Sequence, residues 1–448
     1  MPNQELQYIN RVMTNHLTVP LACVGLGQFG GKLVVLLAGF TKRDGSPYYR
    51  CCAVNSYAGD LQSLRNIPRN SLYQIRGVEA GGGRMPELVK AALLDESTEN
   101  QSNLYDLLDA TASDAPYLMI AAGLGGGTGT GLIWGLLDWI KQGFMPRPCG
   151  LILTLPRPED GPRQHINAAK ALLAILRQMA EQPRGPLSQL SPDVLRRRIN
   201  SIILIDNGLL YREWKAAGER NDWMAWGNQV VSEHFHEMNV IASNANGDVN
   251  FDAADFGKLL LYSGACVTYA RLKWDGQADY GQLGEEARQA VAGGLFSTGY
   301  DFSTASFWGG TLMRSANRPA NDAKLRDAVE STLRSLAPNR DDDKLGIGQW
   351  NHPSTMLYLG VSGLEMPQRV ADILRTAKEE EVRLREQETA RAARAKALLN
   401  TAASDMGTEA APGAVVGQVF SPGSNPFKRP DQAPETRNNP WRKSQPGK

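Results

Sequence analysis

Short apolar runs alternate with glycine-rich and polar stretches through the first half of the chain. Residues 20–24, 49–54, 117–120, 150–154 and 201–205 are almost continuous in Leu, Ile, Val, Ala, Cys and Tyr. Strands that read this way are buried on both faces, as in parallel sheets. Apolar segments at 33–40, 87–94 and 132–137 follow glycine clusters and read as helices. The repeated order of strand, glycine turn and helix predicts a doubly wound α/β domain over 20–220, with its ligand outside the carboxyl ends of the strands. Residues 221–245 predict a central connecting helix, in which Met224, Val231, Phe235 and Met238 are spaced seven, four and three apart on one face. Beyond it, strands at 266–274, 303–313 and 356–361 with helices at 285–295 and 322–336 predict a smaller α+β second domain over 246–365. A long helix over 366–400 opens with the stripe Val370, Ile373, Leu374 and Ala377, then becomes charged nearly all round from Glu379. The flanks are a polar extension over 1–19 and a tail over 401–448 rich in Pro, Gly, Asn and Ser, expected to be disordered.

The densest chemistry lies between the run 117–120 and the helix at 132–137. Six glycines stand in the nine positions from Gly123 to Gly131, interleaved with Leu124, Thr128 and Thr130. A turn needs far fewer. Glycines let backbone N–H groups approach phosphate oxygens, and the helix that follows adds the partial positive charge of its N-terminus. No Gly-Lys-Ser/Thr closes the loop, so it is an anion cradle of a kind other than the Walker loop. Two more glycine clusters precede helices, at 25–31 and 81–86. The first matches GxGxxG, yet the next strand ends in Asn55 where an NAD fold places an acidic ribose ligand, and such a fold has one glycine loop rather than three. Polar residues suited to a nucleoside follow two later strands: Glu159 and Asp160, then Asp206 and Asn207, which equally suit an Asx turn. Asp252 and Asp255 share a face at a helix start, where capping alone also accounts for them.

Composition narrows the partners. With 48 basic and 47 acidic residues in 448, no global field favours nucleic acid or membrane as the main ligand. Five cysteines without CxxC spacing read as reduced core thiols, and no leader or membrane-length apolar window is present, so a soluble cytoplasmic protein is expected. His234 and His236 are two apart on a helix and face different ways, which argues against a shared metal. The tail's end carries Lys428, Arg429, Arg437, Arg442, Lys443 and Lys448, which reads by default as a solubilising tail and more sharply as a short docking motif around Trp441.

The Gly-Gly-Gly-Thr-Gly-Thr-Gly string at 125–131 resembles the signature of the tubulin/FtsZ superfamily of GTPases, and the resemblance extends over about 20–365. Within the superfamily it is similar to the TubZ group of plasmid-partition tubulins. The residues that carry this are Leu-Pro-Arg at 155–157, Ile-Asp-Asn at 205–207, Phe-Asp-Ala-Ala-Asp-Phe at 251–256, and 364–373 leading into the charged helix. The resemblance implies that GTP, with Mg²⁺, is held at its phosphates by Gly25, Gly27, Gln28, Gly30, Gly31, Asn55, Gly82, Gly83, Gly125, Gly126, Gly127, Thr128, Gly129, Thr130 and Gly131. It implies that Asp160 approaches the ribose and that Asn207 and Asn228 read guanine, with Trp223 or Trp226 as the stacking residue. It implies further that Asp252 and Asp255 act in the site of the neighbouring subunit, so that hydrolysis to GDP requires head-to-tail assembly. The role implied is a dynamic filament that segregates plasmid or phage DNA through a small DNA-binding adaptor of the TubR type, met by the basic tail. A division or cell-shape filament of the FtsZ or CetZ sort, or a nucleotide-bound scaffold without turnover, is the alternative. Ser56 and Tyr57 depart from the Thr-Asp of FtsZ, and the absence of a short FtsZ-like docking peptide argues against a division role.

Overall fold

The computed structural model describes residues 16–183, 190–219, 222–242, 249–275, 280–296, 299–316 and 322–405. Expectations for residues 1–15 and 406–448, including the basic end of the tail, lie outside them. Residues 1–384 form one unit and 385–448 another.

The first unit is built on one ten-stranded sheet in the order β3-β2-β1-β4-β5-β6-β7-β10-β8-β9. The strands are β1 (Ala22–Leu26), β2 (Arg50–Asn55), β3 (Leu72–Gln74), β4 (Leu118–Gly123), β5 (Cys149–Leu155), β6 (Ile199–Asp206), β7 (Ala265–Trp274), β8 (Phe307–Ser315), β9 (Asp342–Trp350) and β10 (Thr355–Leu364). Strands β3 through β7 are parallel, β10 runs antiparallel between β7 and β8, and β9 is parallel to β8. The expected α+β part thus continues the same sheet. Its junction is narrow: β6 meets β7 only at Ser201–Ala265 and Ile202–Cys266.

Both faces are covered. Alternation along β1 sends Val24 and Leu26 to one face and Cys23 to the other. On the first face pack α3 (Pro86–Leu94), α4 (Asn100–Thr111), α5 (Thr128–Gln142) and α6 (Pro162–Glu181) through Val89, Leu104, Leu108, Leu132, Leu136, Leu172 and Ile175. On the second pack α1 (Gly27–Ala38), by Leu33, Val34 and Leu37, and α9 (Trp223–Ile241), by Val231, Phe235 and Met238. The remaining helices are α2 (Ala58–Gln62), α7 (Pro192–Arg196), α8 (Asn207–Ala216), α10 (Ala253–Leu260), α11 (Tyr280–Gly293), α12 (Asp322–Leu336) and α13 (Gln368–Asp405).

Strand β9 has no counterpart among the expected strands, the strand expected over 303–313 and the helix expected over 285–295 stand at Phe307–Ser315 and Tyr280–Gly293, and three further details differ from expectation. Helix α1 begins at Gly27 rather than near residue 33, so most of the first glycine cluster is helical. Met224 is 45% exposed, because the first turn of α9 runs beyond the core that its other three stripe residues fill. Helix α13 reaches Asp405, five residues past the expected end. In the second unit the described part of that helix is exposed on all sides, as its charge pattern predicts.

Helix α9 is fastened to its surroundings by polar contacts. Asn239 accepts at its backbone carbonyl from the Thr18 N–H and at Oδ1 from the Val19 N–H, just ahead of β1. Glu237, fully buried, accepts from the Arg271 guanidinium of β7 at 3.0 and 2.9 Å. His236, also fully buried, stacks on Phe40 with centroids 4.1 Å apart and meets the edges of Tyr48 and Tyr49. It is a core residue, and no group of three metal-ligating side chains occurs among the described residues. All five cysteines are free and buried, and burial pushes the Cys149 thiol up to about 12.

Candidate functional site

Strand order reverses at β1, which lies between β2 and β4, so the loops leaving β1 and β4 part to opposite faces and open a crevice at their carboxyl ends. There a cavity of about 370 Å³ is lined by Leu26, Gln28, Phe29, Asn55, Asp60, Arg84, residues 123–129, Pro156, Asp160, Gln164 and Asn207. Every one of the strands β1, β2, β4, β5 and β6 delivers a residue to it from its carboxyl end or the turn that follows.

The glycines divide into two kinds. Some exist for chain packing: a Cβ on Gly30 would lie 2.2 Å from the Ala121 carbonyl oxygen, one on Gly25 would lie 2.4 Å from that of Gly30, and one on Gly131 would lie 2.4 Å from that of Pro86. These three, with Gly27, Gly31, Gly82 and Gly83, do not line the cavity. Gly82 supports it from behind, because its carbonyl stands where a Cβ on Gly127 would go. Gly126 is the other kind: it lines the cavity and an added Cβ would meet nothing within 4 Å. The α5 N-terminus has Gly127 as its N-cap with no side chain capping it, so its first N–H groups remain available to an anion. The two threonines also differ. Thr130 is fully buried and its Oγ1 accepts from the Gly125 N–H at 3.1 Å, bracing the loop, whereas Thr128 lines the cavity and shares a 2.6 Å hydrogen bond with Ser56.

Asn55 donates through Nδ2 to Asp60 at 3.0 Å and accepts from the Tyr57 N–H, which holds both the asparagine and the carboxylate at the cavity. Asp160 accepts from the Arg157 backbone N–H at 2.9 Å and from its guanidinium at 3.3 and 3.2 Å. That guanidinium lies over the rings of Tyr211 and Trp223, 4.8 and 5.2 Å from their centroids. Trp223 is engaged there, and neither it nor Trp226 lines the cavity. Asp206 caps α8 by accepting from the Gly208 N–H, as an Asx turn requires, and pairs with Arg369 at 3.0 Å. Arg369 also donates to the Pro156 carbonyl at 2.6 Å, tying the start of α13 to the ends of β5 and β6 behind Asn207. Asn228 is buried in α9 and is not a lining residue.

Asp252 and Asp255 stand elsewhere. They form a reciprocal capping box: Asp252 Oδ1 accepts from the Ala254 and Asp255 N–H groups at 2.8 and 3.0 Å, and Asp255 accepts from the Asp252 N–H at 3.4 Å. Lys258 donates to Asp255 at 3.3 Å and to Asp342 at 2.7 Å, and these bonds, that to Asp342 first, raise its ammonium above the usual lysine value. Asp342 opens β9, Phe251 stacks on Phe307 at the opening of β8, and the Tyr117 hydroxyl, just ahead of β4, donates to the Leu260 carbonyl. Helix α10 is therefore at the amino ends of the strands. A strand of five to eight residues spans roughly 17–27 Å, so these carboxylates and the cavity of the same subunit cannot touch one ligand.

Sequence reading missed Asp60, Arg84, Gln164, Asn167 and Arg369. Asn167 donates to the carbonyls of both Arg84 and Gly125, at 3.0 and 3.2 Å, and staples two glycine loops together. Gln164 accepts through Oε1 from the Gly161 N–H at 3.0 Å at the start of α6, but with glycine at the N-cap no capping-box spacing marks it in the sequence.

A parallel-dominant sheet with a glycine-loop cavity at its switch point and a long helix after its last strand is the architecture of the tubulin/FtsZ superfamily, and the chain is a protein of that superfamily. Its likeness within it is to TubZ. Residues 237–374 match the family described as tubulin/FtsZ-like protein TubZ-like, C-terminal domain. The tubulin-like protein TubZ of Bacillus thuringiensis subsp. israelensis is 28% identical over 410 residues, covering 84% of this chain and 81% of the relative. A crystal structure of a GTPγS-form protofilament of TubZ from Bacillus thuringiensis serovar israelensis superposes with a TM-score of 0.75 at 26% identity, over 87% of this chain and 98% of that one. A helical model of a two-stranded TubZ-Bt filament gives 0.77 at 27% identity, over 88% and 97%.

Proposed function

We propose that the chain is a GTPase that assembles head-to-tail and hydrolyses GTP to GDP at the contact between subunits, where Asp252 and Asp255 of one molecule complete the cavity of the next. The observation that carries this reading is the placement of the two halves of the site at opposite ends of one sheet. Similarity to TubZ, whose protofilaments have been solved in GTPγS and GDP forms, supports it. An interface of this kind is heterologous, and where its rotation does not close it builds a filament.

Within the cavity, the uncapped α5 N-terminus and the loop around Gly126 suit the phosphates. Asp160, held by Arg157, suits a ribose hydroxyl, and Asn207 suits the purine edge. Mg²⁺, if bound with the phosphates, would supply charge stabilisation there, and the lining residues Asp60 and Thr128 have oxygens that would suit so hard a cation. The carboxylates from the adjoining subunit orient and deprotonate the attacking water. Coupling to plasmid or phage DNA through a TubR-type adaptor is part of the same proposal and rests on the TubZ likeness. No helix among the described residues is long and apolar enough to cross a membrane.

The test is phosphate release and pelleting of the purified chain against its own concentration, with GTP and with GDP. Both should rise together above a threshold, with GTP only. Turnover per molecule that stays flat while nothing pellets would remove the shared-site mechanism.

The two kinds of glycine separate binding from folding. Gly126→Val should leave stability within about 0.5 kcal/mol, since its Cβ meets nothing within 4 Å, yet weaken GTP binding roughly tenfold or more by occupying the phosphate's place. Gly131→Ala should cost about 1–3 kcal/mol through overpacking against Pro86 and Val89. Urea unfolding and nucleotide titration of both variants check this, and the idea is lost if Gly126→Val binds GTP normally.

A further inference from the structure

Both oxygens of the Asp255 carboxylate are held by long hydrogen bonds. Oδ2 accepts from the Asp252 N–H at 3.4 Å, and Oδ1 accepts at 3.3 Å from the ammonium of Lys258, three residues further along α10. A lysine carries its charge on a flexible four-carbon stem, so the ammonium aims nothing unless other groups fix it. Two groups do, and both come from the far edge of the sheet. Asp342 of β9 accepts from Lys258 Nζ at 2.7 Å, and the ring of Phe307, at the opening of β8, has its centroid 5.7 Å from the same nitrogen. Phe307 also stacks on Phe251, the residue before Asp252. The adjacent Asp343 accepts from Arg334 and Arg340, so the acidic start of β9 divides its two carboxylates between two tasks. The Asp342 side chain is 53% exposed, that of Lys258 31% and that of Asp255 11%, so the contacts run from solvent inward to the carboxylate proposed for chemistry. Ion pairs this exposed contribute little to stability, and folding alone does not account for a relay of three charges that ends on Asp255.

We infer that Lys258 and Asp342 are positioning residues for hydrolysis: Asp342 fixes the Lys258 ammonium, and Lys258 fixes the direction in which the Asp255 carboxylate meets the water in the adjoining subunit's cavity. The inference rests on the shared-site reading above and adds to it the pair that aims the carboxylate. A carboxylate free to turn about its side-chain bonds meets that water in few of its orientations, and a misplacement of about 1 Å is enough to cost up to roughly 100-fold in rate. Neither Lys258 nor Asp342 lines the cavity of its own subunit. Asp342 and Phe307 belong to strands beyond the narrow β6–β7 junction, so the second half of the sheet acts on the reaction through Lys258.

The experiment is phosphate release per polymerised subunit of the full chain, measured with GTP well above the assembly threshold, together with that threshold and the urea midpoint. The chains compared are the wild type, Lys258→Met, Lys258→Arg, Asp342→Asn, Asp255→Asn, and Asp255→Asn combined with Lys258→Met or with Asp342→Asn. Methionine keeps the unbranched stem and loses the charge. Lys258→Met should lower turnover roughly tenfold, Asp342→Asn by a smaller factor, and Lys258→Arg should recover part of the rate, with threshold and urea midpoint close to wild type in all three. In the Asp255→Asn background neither Lys258→Met nor Asp342→Asn should cost anything further, because the carboxylate that they aim is gone. Asp342→Asn, at a mostly exposed side chain, carries the same test should Lys258→Met not fold. A purely structural role would move the urea midpoint and lower turnover by the same factor in both backgrounds. That outcome, or wild-type turnover in the single variants, would overturn the inference. So would a loss seen only as a raised threshold, which would place Lys258 in the contact rather than behind Asp255. Wild-type turnover in Asp255→Asn would instead overturn the shared-site reading itself.

Discussion

Asp255→Asn is expected to lower GTP turnover by about 100-fold or more, in the range that removal of a general base or an electrostatic stabiliser produces, while leaving GTP affinity of the isolated subunit within about twofold. The asymmetry follows from the geometry. Asp255 is at the amino ends of the strands and the cavity is at the carboxyl ends, so on the proposed reading a single subunit would bind nucleotide without it and hydrolyse only when another subunit supplied it. Asparagine is the informative replacement. Its amide oxygen still accepts from the Asp252 N–H, so the capping box of α10 survives, and Lys258 keeps its shorter bond to Asp342. Alanine at Asp252 would confuse the result, since losing that cap costs about 1 kcal/mol. With turnover blocked, GTP-grown polymer should persist in the pellet long after wild-type polymer has dispersed. Phosphate release measured above the assembly threshold decides the matter: a variant that turns over at the wild-type rate removes Asp255 from the chemistry.

How much of this site could be read from sequence depended on what each residue type encodes. Strands buried on both faces have to be apolar throughout, so β5 and β6 announce themselves. Strand β9 does not, because it opens with Asp342, Asp343 and Lys344 and only its later residues face the core. The cradle at 123–131 was legible from glycine density, but the letter for a glycine that admits a ligand is the same as that for one that admits a backbone. Gly126 and Gly30 are separated only by what a Cβ would strike. Trp223 was a fair candidate for base stacking by chain position, yet the side chain it meets is Arg157, from a turn 66 positions away. Arg84, at the end of the glycine cluster, was not singled out, since neither a left-handed φ nor the staple from Asn167 leaves a local trace. Asp252 and Asp255 were legible as a pair, and their separation from the cavity was not, because it depends on which end of the sheet α10 occupies.

Acid should destabilise the protein through His236 well before the carboxylates titrate. The imidazole is fully buried among Phe40, Tyr48 and Tyr49, and desolvation lowers its folded-state pKa from 6.5 to about 3. Between those values the unfolded chain binds a proton that the folded chain refuses, so stability rises with pH across this window and falls as pH drops through it. The stabilising contribution is complete above about pH 6.5, the unfolded value, and declines below it by up to about 1.4 kcal/mol per pH unit, which amounts to roughly 2 kcal/mol at pH 5. His236→Phe removes the titrating group and keeps an aromatic ring against Phe40. Its own cost, the hydrogen bond between His236 Nδ1 and the Tyr49 hydroxyl, does not vary across this range. The difference in unfolding free energy between wild type and variant, taken from urea titrations at pH 7.5, 6, 5 and 4.5, should therefore shift steadily in the variant's favour as pH falls. Parallel curves would show that the imidazole reaches water in the folded state, and with that the packing of α9 against Phe40, Tyr48 and Tyr49 would have to be revised.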